Sequence, residues 1–202
     1  YAVAHYNLGM TLEKKGEKEA AARHYRTAVD ISPVLVEARV SLAKMLLDAG
    51  DFPAARLHYQ AALAEDPEFG PAYEGLGSLY AKTGDFEAAV RVFNQLLERD
   101  PGNYTAHVNA GLALKRLGRL DAAAGHFKKA ADSDPKRAEA YVQLGSLYAA
   151  RGESEQAMAL FRKAVDAVPD SYEAHLKIGI EHARKSEMAP AVEAFRRAAA
   201  VR

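Results

Sequence analysis

Residues Gly70–Asn103 read GPAYEGLGSLYAKTGDFEAAVRVFNQLLERDPGN, and this stretch decides the fold. From Ala72 to Lys82 the residues Tyr73, Leu76, Gly77 and Tyr80 recur at helical spacing, which predicts a helix with one packed face. Thr83-Gly84-Asp85 then stops it. Gly84 supplies a left-handed turn, and Asp85 offers a carboxylate to cap the next helix. A second helix over about Phe86–Glu98 turns Ala89, Val90, Phe93 and Leu96 inward, and Pro101, following Asp100, cannot continue it. Two helices of this size cannot bury their apolar faces alone, so the stretch needs neighbours of the same kind.

Working outward, the same punctuation returns. Pro33, Pro67, Pro101, Pro135 and Pro169 stand 34 residues apart without slippage. Gly16, Gly50, Gly84, Gly118 and Gly152 keep step with them, with Ser186 at the sixth place. So do the rings of Tyr25, Tyr59, Phe93, Phe127, Phe161 and Phe195. A fixed period of this length is the signature of a stacked array. Numbering each repeat so that Pro holds place 32 puts the repeat starts at Ala2, Val36, Gly70, Tyr104, Ala138 and Tyr172. Places 3 and 20 are then Ala in all six repeats, and place 8 is Gly everywhere except Ala43. Gly in a helix interior is about 1 kcal/mol worse than Ala, so its recurrence there predicts a partner packed too close for a side chain.

The pattern resembles the tetratricopeptide repeat family, whose unit reads W-x2-L-G-x2-Y, then A-x3-F, then P. Tyr73, Leu76, Gly77, Tyr80, Ala89, Phe93 and Pro101 carry the resemblance best, and it extends over essentially all of residues 1–202. It implies an all-α, right-handed superhelix of helix–turn–helix units forming a single array, the last unit truncated. Departures are local. His5, Arg39, His107 and His175 replace the large residue at place 4, and Ala110 thins the fourth repeat. Pro53 and Pro190 fall in the first turn of second helices, where the backbone N–H lacks a partner anyway. The sixth repeat, with His182, Ser186 and Pro190, departs furthest and is expected to be the loosest. The chain starts at Tyr1 and ends before a sixth Pro, without the polar caps an array normally carries. The expectation is a piece of a longer protein, or raw ends that meet other copies.

Composition narrows the chemistry. Twenty-seven Lys and Arg balance 27 Asp and Glu, so no global field draws in nucleic acid or anionic membrane. With no cysteine there are no disulfides, thiolate nucleophiles or Cys-ligated metals. No apolar run approaches the roughly 18 residues that span a bilayer. No leader is visible, and the cytoplasm is the default location. Charge is segregated along the repeats: +1, −3, −2, +4, −2 and +2 from first to sixth. A basic island beside acidic repeats can orient a charged partner or a second copy.

Seven histidines raise the question of a metal. His5, His107 and His175 share place 4, while His24, His58 and His126 share place 23. They read as repeat positions spread along the array, with no pair at i, i+4 and no H-E-x-x-H, so no metal is expected. Gly75-Leu76-Gly77 lies inside a helix and lacks a phosphate-loop context. Carboxylate pairs such as Glu17 with Glu19 or Glu153 with Glu155 sit at helix starts, where they suit the helix dipole. Ser, His and Asp are nowhere arranged as a triad. The chain is expected to be non-catalytic and without cofactor.

That leaves a surface. Places 2, 5, 6, 9, 12 and 13 of the first helices form a second stripe, which in the family lines the concave side where a partner segment lies. The candidate partner-binding residues are Tyr6, Asn7, Met10, Val40, Lys44, Glu74, Ser78, Val108, Asn109, Leu112, Lys115, Val142, Gln143, Ser146, Leu176 and Lys177. Place 5 is apolar or aromatic in five repeats (Tyr6, Val40, Val108, Val142, Leu176), which reads as an exposed docking strip for a peptide or helix. The family's carboxylate clamp is disfavoured, because the Lys and Arg that should flank Asn7 and Asn109 are absent and Glu74 stands where Lys is required. An Asn ladder fails too, since place 6 is Ser41, Gly75, Gln143 and Lys177 in the other repeats. The expected role is an adaptor that holds a partner peptide or helix in its groove. The alternatives are a scaffold assembling through its ends, or the regulatory or substrate-presenting arm of a larger enzyme or a secretion or assembly protein.

Overall fold

A computed structural model describes residues 1–201. Among these it contains twelve helices and no strand: α1 (Ala2–Lys14), α2 (Lys18–Ile31), α3 (Val36–Asp48), α4 (Phe52–Glu65), α5 (Gly70–Thr83), α6 (Phe86–Arg99), α7 (Tyr104–Arg116), α8 (Leu120–Ser133), α9 (Ala138–Ala150), α10 (Ser154–Ala167), α11 (Tyr172–Arg184) and α12 (Met188–Ala200). The odd-numbered helices begin at Ala2, Val36, Gly70, Tyr104, Ala138 and Tyr172, one per 34 residues. The chain divides into two compact halves, Tyr1–Pro101 and Gly102–Arg202, of three repeats each. Within a half, each first helix packs on its own second helix, and each second helix packs on the next first helix.

The turn inside each repeat follows from its residues. Gly84 takes φ 85°, a left-handed conformation that an L side chain resists, and Ser186 at the sixth turn is held at φ 59° without glycine's freedom. Asp51 and Asp85 cap α4 and α6 by accepting from the amides of Ala54 and Ala88. Glu17, Glu153 and Glu187 hold the same place and make no such bond. Their extra methylene carries the carboxylate past the short reach that a cap requires.

The core is set by contact between an aromatic ring on the second helix and the bare backbone of the first. Tyr25, Tyr59, Phe93, Phe127 and Phe161 are 0–2% exposed. A Cβ added to Gly111 would stand 2.6 Å from the Phe127 ring, and Gly9, Gly77, Gly145 and Gly179 meet their own rings at 2.5–2.6 Å. Around this contact, the alanines of places 3 and 20 are almost all fully buried. Phe195 of the sixth repeat differs from its five counterparts in being 36% exposed, and Met188 and Val192 on the same helix are exposed as well.

Two glycine substitutions separate propensity from packing. Gly125, inside α8, has nothing within 4 Å of a built Cβ, so Gly125→Ala is expected to raise stability by about 0.5–1 kcal/mol. Gly111→Ala adds the same propensity but drives a methyl into Phe127, and is expected to lower stability by about 1–3 kcal/mol. Thermal melting followed by circular dichroism should move the two midpoints in opposite directions.

Candidate functional site

The stripe predicted from sequence divides once burial is known. Asn7, Lys44, Ser78 and Lys115 are exposed; Tyr6, Met10, Val40, Glu74, Asn109, Leu112, Gln143, Ser146, Leu176 and Lys177 are half-buried. Val108 and Val142 are not on the surface. At 3% and 1% exposure they belong to the core. Val108 packs with Tyr104, Ala130, Ala131 and Ala140, and Val142 with Ala164 and Ala174. The exposed apolar strip expected along place 5 therefore does not exist in the fourth and fifth repeats. A residue at place 5 lies at the seam where a first helix meets its own second helix and the next first helix. Val108 and Val142 are enclosed there, whereas Val40, at the same place of the second repeat, stays half-buried.

In the N-terminal half the stripe carries a polar network that the sequence reading missed. Tyr25 passes between the helices, and its hydroxyl donates to Glu13 Oε2 at 2.7 Å, while Lys44 Nζ donates to Glu13 Oε1 at 2.8 Å. Burial first, then the bond to Glu13, pushes the Tyr25 hydroxyl far above the ordinary phenol range. Lys82, further along, donates to the Leu47 carbonyl at 3.3 Å and lies 5.8 Å from the centre of the Phe52 ring. In the C-terminal half Lys115 Nζ donates to Gln143 Oε1 at 3.2 Å, which ties α7 to α9 and turns the Gln143 amide nitrogen away from that bond. The legible signal for the first network was Tyr in place of Phe at place 24, an extra hydroxyl that must find a partner or water.

The histidines also need correction. Places 4 and 23 are not spread apart but face each other within one repeat. His5 Nδ1 and His24 Nδ1 are 3.0 Å apart, and His107 Nδ1 and His126 Nδ1 are 3.1 Å apart. Ring centroids at 5.2 and 5.3 Å mean that the two nitrogens of each pair point at one another nearly along the centroid line. That is the geometry of an N–H···N hydrogen bond with one donor and one acceptor, not of two lone pairs converging on an ion. No group of three or more His, Asp or Glu that could hold a metal occurs among the described residues. Where place 4 is Arg39, its counterpart His58 keeps a buried Nδ1 without a partner.

Comparison with known proteins places this geometry. A family model described as tetratricopeptide repeat matches residues 40–104, 74–138, 108–171 and 142–201, and a second of the same description matches residues 2–33. The chain belongs to the tetratricopeptide repeat family. Among solved structures it is similar to PilF of Pseudomonas aeruginosa, with 17% identity, 96% of this chain and 88% of that chain covered, and a TM-score of 0.84. It is also similar to YrrB, described as a TPR protein with an unusual peptide-binding site, at 24% identity, 92% coverage of each chain and a TM-score of 0.68. MamA of Desulfovibrio magneticus RS-1 matches at 22% identity, with 82% of this chain and 94% of that chain covered and a TM-score of 0.70. No curated protein matches the sequence significantly. These likenesses establish the all-α repeat fold, and tetratricopeptide repeats are generally protein-interaction modules. No helix among the described residues is long and apolar enough to cross a membrane.

Two outcomes follow from the burial pattern. Val108→Glu or Val142→Glu places an unpaired carboxylate in the core and is expected to cost about 3–5 kcal/mol in a urea melt, whereas Ser146→Glu, on the accessible part of the stripe, should leave the midpoint nearly unchanged. Burial, His107 and Lys129 hold the His126 imidazole down to about 4, and burial with Arg39 and Arg26 also lowers His58. The unfolded state therefore binds more protons than the folded one between about pH 6.5 and 4. The stability that neutral His126 confers is complete above pH 6.5 and lost as pH falls through that window. His126→Leu should shrink the loss between pH 7 and 4.5 relative to the unmodified protein.

Proposed function

We propose that this protein is a non-catalytic adaptor whose first helices present a surface to a segment of a partner protein. The observation that carries the reading is the stripe itself. Fourteen of its sixteen predicted residues remain accessible, and they mix apolar groups with hydrogen-bonding ones. In the C-terminal half the accessible residues include the apolar Leu112 and Leu176 and the polar Asn109, Gln143, Ser146 and Lys177, carried on α7, α9 and α11. Side chains of this kind give a partner both an apolar seat and a set of polar contacts that fix its register. The peptide-binding site ascribed to YrrB supports the same reading for a chain of this fold.

The test is site-specific photo-crosslinking in cells that express the full protein. A photoreactive residue is placed at Ser78 or Ser146, both on the stripe, or at Gln95 or Lys163, on exposed faces of the second helices. The expected result is a discrete protein adduct from the stripe positions and none from the other two. Adducts confined to the second-helix positions, or absent from all four, would overturn the reading.

A further inference from the structure

The side chain at place 4 usually reaches back to the proline that precedes its helix. Arg39 Nε donates to the Pro33 carbonyl, the Tyr73 hydroxyl to that of Pro67 at 3.0 Å, and His175 Nε2 to that of Pro169 at 2.8 Å. Tyr141 holds this place in the fifth repeat and makes no such bond. Its hydroxyl has no hydrogen-bond partner among the described residues, and neither has that of Tyr148, two turns further along α9. Both residues are half-buried, and with Leu144 they line a cleft of about 340 Å³ whose other lining residues come from α8 and α10.

Two small residues leave this cleft open. Place 28 is Val or Leu in four repeats but Ala131 in the fourth, and place 22 is Arg, Leu, Arg and Glu in the first, second, third and sixth repeats but Ala159 in the fifth. Ala131 and Ala159 both line the cleft, which a branched side chain at the first or a long one at the second would fill. The next repeat has the same frame with its polar groups already taken. Thirty-four residues on, His175, Ile178 and His182 replace Tyr141, Leu144 and Tyr148 in a cleft of about 290 Å³. There His175 is bound to the Pro169 carbonyl, His182 to Glu187, and Arg197, the counterpart of Lys163, to Glu193. In the fifth-repeat cleft Lys128 of α8 and Lys163 of α10 are exposed and make no ion pair among the described residues, and nor does Asp132, which lines it too. Two ammonium groups against one carboxylate leave the lining positive, in a half of the chain that holds 16 Lys and Arg against 12 Asp and Glu.

We propose that the cleft between α8 and α10 binds a small aromatic carboxylate. The ring lies against Tyr141, Leu144 and Tyr148, and the carboxylate is held by Lys128 and Lys163, with a phenol hydroxyl donating to it. A carboxylate only accepts hydrogen bonds, and the free groups here, ammonium and phenol, are those that can donate. Two tyrosine rings give an aromatic body faces and edges that an aliphatic chain cannot match. The volume stands at the low end for small-molecule sites, which fits a single substituted ring and not a helix of a partner. Places 4, 7 and 11 of α9 and the second helices carry this site, so it lies off the stripe and does not depend on the adaptor reading.

The probe is 4-(trifluoromethyl)benzoate, titrated against the whole protein by fluorine NMR, with 4-(trifluoromethyl)benzamide as the uncharged ring. The benzoate is expected to bind at least about fivefold more tightly than the benzamide, and Lys128→Gln or Lys163→Gln to weaken it about three- to fivefold. Ala159→Leu should abolish binding and leave the melting midpoint in place, since Ala159 is exposed and Leu57 already holds this position in the second repeat. Arg197→Gln, in the neighbouring cleft, should leave the affinity unchanged. Equal binding of the benzamide, binding to Ala159→Leu within twofold of the unmodified protein, a loss with Arg197→Gln as large as with Lys163→Gln, or no binding at millimolar benzoate would each overturn the proposal.

Discussion

Everything in this molecule depends on one contact: an aromatic ring of a second helix pressed onto a stretch of first helix that has no Cβ. It brings the first helix against the second, and the alanines of places 3 and 20 are almost all fully buried in the same core. Glycine in mid-helix sacrifices about 1 kcal/mol of propensity at each occurrence, and the buried ring, with its large apolar area, more than offsets this. The same contact explains why the repeat is sharp in sequence. A Cβ added at place 8 beside Tyr25, Phe93, Phe127, Phe161 or Phe195 would force the ring to shift.

The fold was legible because its determinants are local and repeated. Proline, the left-handed glycine and the ring fall at fixed places, and the first helices begin at the six residues that the proline ruler marks. The stripe was less legible. A helical wheel sorts residues by angle around one helix, and by angle Val108 and Val142 belong with Asn109 and Ser146. Burial at place 5 depends on neighbouring helices that the wheel does not contain: Ala130 and Ala140 close over Val108, Ala164 and Ala174 over Val142. At the same place Tyr6 and Val40 of the first two repeats remain partly accessible.

The histidines and Tyr59 failed to be read for a different reason. Both depend on which place of one helix faces which place of another. His5 and His24 are 19 residues apart, a separation that matches no single-helix period, yet the same separation recurs for His107 and His126. The Tyr59 ring lies against Gly75, on the first helix of the following repeat. Comparing the repeats with one another exposes both signals.

Among the described residues the main helix contacts inside each half join neighbours in order, with α3–α5 and α9–α11 among the longer steps. Short loops closed early require little chain entropy, so such a half should fold fast for its size, without waiting for distant segments to meet. It also makes stability a property of neighbours. A lesion in one repeat is felt by the two beside it and fades beyond them, and a half can open at one repeat while its remainder stays folded. Because a change is felt mainly by adjacent repeats, one repeat can be altered in sequence while the remainder of its half keeps its packing.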